Sequence, residues 1–340
     1  MGSIIDPFSS VDFSDLPPPA SFTARDGTKL AYRCYTLATS APSQGSVVLI
    51  HGSSATSSSM HPMAKQLSAA GFTIYALDIR GHGGSGDKGQ IGYIGQLEDD
   101  LTDFMRAVSP PAPVTLAGFS SGGGFALRFA GSSRQDLFQG YLFLAPFLSQ
   151  DAPSLRPAGG GWASVGVPRI VALAILNRFG LRTFNSLPVL RFAVSEKAKT
   201  ILTSEYSYAL ETNFRPHEDY LADLRNMHQP FRILIGENDE VYYPNRFAEV
   251  LKQAGKDVPV TIVPAVDHIH LILSPLALKT AVEAVRSLPS RRWFLHVKSA
   301  RDSHHASNHA MEPTANRPYA QISLFMNATR SSRGGSSCPR

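Results

Sequence analysis

Cysteine is nearly absent. Cys34 and Cys338 are the only two in 340 residues, the first within a predicted strand and the second near the end of the chain. So sparse a set argues against a structural disulfide and for a reducing compartment. Long apolar runs are missing too. The longest, Ile170 to Leu176, is far too short to span a bilayer. The N-terminus lacks the cationic-then-apolar pattern of a secretory signal. It opens Met1-Gly2, but a myristoylation site needs Ser or Thr where Asp6 stands. These absences leave a cytoplasmic location as the expectation.

A surplus of one charge is also lacking where it would matter. The chain carries +5, but residues 291–340 hold eight Lys/Arg against two Asp/Glu, leaving 24 against 25 in residues 1–290. The body is near neutral and the basic character belongs to the tail. No nucleic-acid partner is expected. The tail itself is rich in Ser, His, Asn, Arg and Gly, the composition of a disordered segment. His304, His305 and His309 lie there in no predicted rigid element, so no metal site is expected.

What is present is a repeating strand–helix pattern. A polar N-terminal extension, residues 1–20, ends in Pro17-Pro18-Pro19. Asp26-Gly27 marks a hairpin between short strands. Apolar runs then read as strands, 46–50, 72–77 and 113–117 as buried ones and 140–146, 231–236 and 258–263 after them. Amphipathic helices fall between them, one carrying Met60, Met63 and Leu67, another Leu97, Leu101, Phe104, Met105 and Val108. Later helices cover 245–254 and start at Ser274-Pro275. This alternation predicts an α/β fold with a mostly parallel, doubly wound sheet, formed by residues 21–146 and 230–290.

The alternation breaks across 147–229. One short helix, Pro168 to Phe179, starts with Pro and stops at Gly180. The block is rich in apolar residues, among them Trp162, Leu176 and Phe214. It reads as an inserted, mostly helical lid without a sheet of its own, leaning on the parent core. Its apolar residues would allow transient contact with a membrane surface.

The stretch Gly118-Phe119-Ser120-Ser121-Gly122 lies between a predicted strand and a predicted helix. That is the context of a nucleophile elbow, G-x-S-x-G. The apex residue is strained, and side chains two positions either side would strike the neighbouring strand and helix. Gly118 and Gly122 remove them. Ser120 is the candidate nucleophile, and the N–H of Ser121 a candidate oxyanion donor. A serine hydroxyl needs a base, and the base needs an acid to orient it. In this arrangement the acid precedes the base along the chain. Asp239, three after the Gly that ends its strand, is the candidate acid, with Glu237 and Glu240 as fallbacks. His268, close behind the last strand, is the candidate base. His270 leads toward Leu271-Ile272-Leu273 and is expected to pack. The second oxyanion donor is expected from the backbone N–H of Ser53, with Ser54 behind it. His51 and His82 are expected to hold loops.

Taken together, Ile50-His51-Gly52, Asp78-Ile79-Arg80-Gly81-His82-Gly83, the elbow, Gly236-Glu237-Asn238-Asp239 and Asp267-His268 resemble the α/β-hydrolase superfamily over about residues 20–290. Within it the chain is most similar to the lid-bearing branch of monoacylglycerol lipases and lysophospholipases. The resemblance implies hydrolysis of small-molecule carboxylic esters through an acyl-enzyme on Ser120, with no cofactor. The chain departs from that branch at Ser53-Ser54-Ala55-Thr56, where a stretch carrying Glu and His is more usual. The same triad would also serve amide, C–C, acyl-transfer or cofactor-free haloperoxidase chemistry. Ser rather than Asp at the elbow separates the chain from dehalogenases and epoxide hydrolases. A binding module that kept the fold would have no need of nucleophile, acid and base together.

Overall fold

A computed structural model describes residues 6–37, 43–157, 161 and 163–288. The basic tail with its three histidines, Trp162 and Cys338 lie outside the described residues. Strands β1 (Ala20–Thr23) and β2 (Lys29–Tyr35) form the hairpin at Asp26-Gly27. Then follow β3 (Ser46–Ile50), α1 (His61–Ala69), β4 (Thr73–Leu77), α2 (Gln96–Val108), β5 (Val114–Phe119), α3 (Ser121–Ala130) and β6 (Gly140–Leu144). The sequence next gives β7 (Ala163–Val165), α4 (Val167–Arg178), β8 (Pro188–Phe192), β9 (Glu205–Ser207), α5 (Tyr208–Asn213) and α6 (Tyr220–Asn226). It closes with β10 (Phe231–Gly236), α7 (Arg246–Gln253), β11 (Val260–Val263) and α8 (Pro275–Arg286).

Eight strands make one sheet in the order β1-β2-β4-β3-β5-β6-β10-β11. From β4 to β11 every pairing is parallel; only β1 and β2 run against their neighbours. Strands β3, β5 and β6 are buried along their whole length. That is why they read as unbroken apolar runs rather than as alternation. Strand order reverses at β3, which sits between β4 and β5. In such sheets the crevice beyond the carboxyl ends of the strands is where ligands bind.

The inserted segment, expected as mostly helical and without a sheet of its own, does carry one. β7, β8 and β9 form a separate three-stranded antiparallel sheet. Helix α4 leaves a row of side chains uncovered: Val167, Val171, Ile175 and, just beyond it, Phe179 are each more than half exposed. The N-terminal extension also differs from its polar reading. Phe8, Phe13 and Leu16 line an apolar cavity of about 320 Å³ behind the loop that follows β3. Cys34 lies within β2, the strand expected to hold it. Among the described residues no helix is long and apolar enough to cross a membrane.

Candidate active site

The turn between β5 and α3 is built around two missing side chains. A Cβ on Gly118 would lie 2.1 Å from the carbonyl oxygen of Gly122, and one on Gly122 would lie 2.3 Å from that of His51. Both are too close for any atom. The tight turn puts Ser120 at φ 54° and ψ −119°, a conformation that costs an L-residue on the order of 1–3 kcal/mol. Backbone bonds hold it there. The Ser120 N–H donates to the Leu144 carbonyl at 2.9 Å, and its own carbonyl accepts from Gly124 and Phe147, each at 3.0 Å.

Three distant loops meet at this hydroxyl. Nε2 of His268 lies 3.1 Å from Oγ of Ser120, and Nδ1 lies 2.8 Å from Oδ2 of Asp239. Asp239 is fully buried, and its Oδ1 accepts the N–H groups of Val241 at 2.9 Å and Tyr242 at 2.8 Å. The carboxylate is thus fixed by its own loop before it meets the imidazole. Nδ1 of His268 must carry the proton that faces this acceptor, which leaves Nε2 free to accept from Ser120. The imidazole ring is held between Phe119 at 4.8 Å and Tyr242 at 5.3 Å between centroids.

The fallback acids lie elsewhere. Glu240 accepts the backbone N–H of His268 at 3.0 Å, and Glu237 accepts that of Ala265 at 2.9 Å. Each staples the two loops together. His270 does not pack as expected; it is about half exposed and paired with Asp267 at 2.8 Å. His51 and His82 are fully buried, with ring centroids 4.8 Å apart. Burial pushes both imidazoles below the usual histidine range. They work within the structure: His51 bonds Gly52 and Ile79, and His82 bonds Tyr206. Asp78, in the same stretch, accepts the N–H groups of Ser57 and Gly84 and so ties two loops together.

Ser53, Ser120 and Ser121 line one cavity of about 340 Å³. Among the described residues neither the Ser53 nor the Ser121 N–H has a hydrogen-bond partner. The two serine hydroxyls meet each other at 2.5 Å. Most of the wall comes from the insertion and the segment leading into it, including Leu190, Phe192, Tyr206 and Phe214. Its polar groups include Arg156, Glu211 and Arg215. Burial raises the Glu211 carboxyl above the usual range, against the pull of Arg215 at 3.2 Å. Two residues escaped sequence reasoning. Tyr242 lines the same cavity and sets its ring edge-on to His268, and the Tyr206 hydroxyl reaches the loop after β3. Among the described residues no cluster of His, Cys, Asp or Glu could hold a metal ion.

Comparison with known proteins bears on the family and the fold. A monoacylglycerol lipase of Mycolicibacterium smegmatis is 34% identical over 115 residues, 32% of this chain and 40% of that protein. The match thus spans less than half of that relative's length. A soluble variant of monoglyceride lipase from Saccharomyces cerevisiae superposes with a TM-score of 0.61 at 18% identity, covering 78% of this chain and 92% of that one. The Paleococcus ferrophilus monoacylglycerol lipase superposes with a TM-score of 0.55 at 18% identity, over 75% and 97%. At such identities these two structures speak for the fold alone. Residues 41–272, well over half the chain, match the family described as serine aminopeptidase, S33. On that match, and on its eight-stranded sheet, the chain belongs to the S33 serine aminopeptidase family, with an α/β-hydrolase fold.

Proposed function

We propose that this protein hydrolyses carboxylic esters through an acyl-enzyme on Ser120. One observation carries the reading: a single buried imidazole contacts the Ser120 hydroxyl with one nitrogen and the Asp239 carboxylate with the other. His268 takes the Ser120 proton as Oγ attacks the ester carbonyl. Asp239 keeps Nδ1 protonated and stabilises the imidazolium that forms. The N–H groups of Ser53 and Ser121 receive the oxyanion. His268 then gives its proton to the leaving alcohol. In the second half it activates the water that releases the acid and frees Ser120. Nothing in these steps calls for a cofactor.

The apolar wall of Leu190, Phe192 and Phe214 favours an acyl or aromatic group. The relatives named as monoacylglycerol lipases make an acylglycerol the first ester to try. The insertion acts as a lid in this reading. The uncovered side chains of α4 would rest on a lipid surface while substrate enters.

The family description favours a second reading, amide hydrolysis at a peptide N-terminus. Glu211 would have to receive the ammonium group. It is already paired with Arg215, and its carboxyl is raised by burial. A neutralised pair offers little to a cation, so the ester reading stands ahead.

A fluorophosphonate probe tests the nucleophile. It should label the folded protein, and Ser120→Ala should abolish both labelling and ester hydrolysis without unfolding. Hydrolysis surviving in Ser120→Ala would sink the assignment. A panel of p-nitrophenyl esters, monoacylglycerols and aminoacyl p-nitroanilides separates the two substrate classes.

A further inference from the structure

Tyr206 sits on β9 of the insertion, far along the chain from the loop after β3, yet its hydroxyl is central to that loop. It accepts the N–H of Ser54 at 2.6 Å and lies 2.6 Å from Nε2 of His82. The proton positions follow from the partners. Nδ1 of His82 faces two carbonyl oxygens, of Ile79 at 3.2 Å and Arg80 at 3.4 Å. It must therefore carry the hydrogen, and Nε2 must accept from the phenol. The phenol's proton is thus committed to His82, and its oxygen is turned toward Ser54.

Two more bonds run between the insertion and Ser54. Its carbonyl accepts the Thr203 N–H at 2.9 Å, and its hydroxyl donates to the Thr203 carbonyl at 2.7 Å. Ser54 needs such support because it stands at φ +65°, in the left-handed region that L-residues avoid. The peptide so held follows Ser53, which lines the cavity and whose N–H bonds none of the described residues. An unsupported Ser54 would relax toward ordinary φ and rotate the backbone beside that donor.

We propose that Tyr206 is a positioning residue for the reaction: through its hydroxyl, the insertion holds Ser54 left-handed and so aims the Ser53 N–H at the oxyanion. The inference rests on the acyl-transfer reading of Ser120. It means that the insertion helps form the oxyanion site as well as covering it. Misaiming a donor by about 1 Å costs on the order of 100-fold in rate.

The test is Tyr206→Phe, which keeps the ring and removes the hydroxyl. With a short p-nitrophenyl ester, kcat should fall about 10- to 100-fold while KM stays within about twofold. Affinity for a trifluoromethyl ketone, which forms a tetrahedral oxyanion on Ser120, should weaken by a similar factor. General loosening of the structure would not split kcat from KM in this way. A folded Tyr206→Phe variant with unchanged kcat overturns the proposal. Should that variant fail to fold, Ser54→Ala removes the hydroxyl link to Thr203. It should show the same split at a few-fold loss; no split overturns the idea. Amide exchange at Ser54 needs no substrate. It should quicken at least tenfold in the variant, and unchanged protection also counts against the proposal. If the wild type cleaves no ester, the ester reading fails alone, and the exchange result still decides this one.

Discussion

Gly236 and Val266 leave no room for a methyl group between them. A Cβ on Gly236 would lie 2.2 Å from the Val266 carbonyl oxygen. The same end of β10 is stitched to the last strand and its loop by Glu237 N–H to the Val263 carbonyl and Asn238 N–H to the Val266 carbonyl, both at 2.9 Å. Asp239 and His268 lie just beyond these contacts. The acid and the base therefore depend on one glycine for their spacing.

Gly236→Ala should separate these two loops. Activity on a short ester should fall on the order of 100-fold, the cost of about 1 Å of misplacement. Fluorophosphonate labelling of Ser120 should slow in parallel. Wild-type kinetics in this variant would show that the loops tolerate the shift.

Asp239→Asn should retain the fold and lose on the order of 10⁴-fold in kcat. The side-chain oxygen of Asn can still accept from Val241 and Tyr242. That commitment turns the amide NH₂ toward Nδ1 of His268, where only an unprotonated nitrogen is accepted. The imidazole is then forced into the tautomer that cannot take the Ser120 proton. Circular dichroism would report the fold, and steady-state kinetics the loss. A loss under tenfold would return Glu240 to consideration.

Stability should fall on acidification through the buried histidines. His51 and His82 are neutral in the fold, and burial holds their pKa below the unfolded value of about 6.5. Below that value the unfolded chain gains protons that the folded chain does not. The contribution is intact above about pH 6.5 and shrinks as pH falls toward the lower folded values. The slope is roughly 1 kcal/mol per pH unit for each histidine. Urea unfolding between pH 7.5 and 5 would measure it, and His82→Gln should flatten the profile by about one histidine's share.

The uncovered face of α4 predicts surface binding. Wild-type protein should co-sediment with phosphatidylcholine vesicles, and Val171→Ser/Ile175→Ser/Phe179→Ser should reduce that binding several-fold. Hydrolysis of a soluble short ester should stay within about twofold. Equal sedimentation of both proteins would assign that face another role.

The sequence was most informative where a residue's role depends on near neighbours. β3 and β10 occupy the ranges expected for them, because strands buried on both faces are continuous in apolar residues. Ser120, Asp239 and His268 stand out because each closely follows a strand, and the structure brings them together. The insertion was harder to read. β7 and β9 are three residues each, and β7 is exposed throughout, so neither shows alternation. Tyr206 carries no local mark at all. Its importance lies in Ser54 and His82, 152 and 124 positions away, a separation no spacing rule reaches.

The backbone at Ser120 has one more consequence. Glycine would occupy φ 54° at less cost than serine does. Ser120→Gly should therefore melt at a higher temperature than the wild type while being chemically inert. Selection for heat tolerance alone would erode the catalyst, so resilience at this position is bounded by the work the hydroxyl must perform.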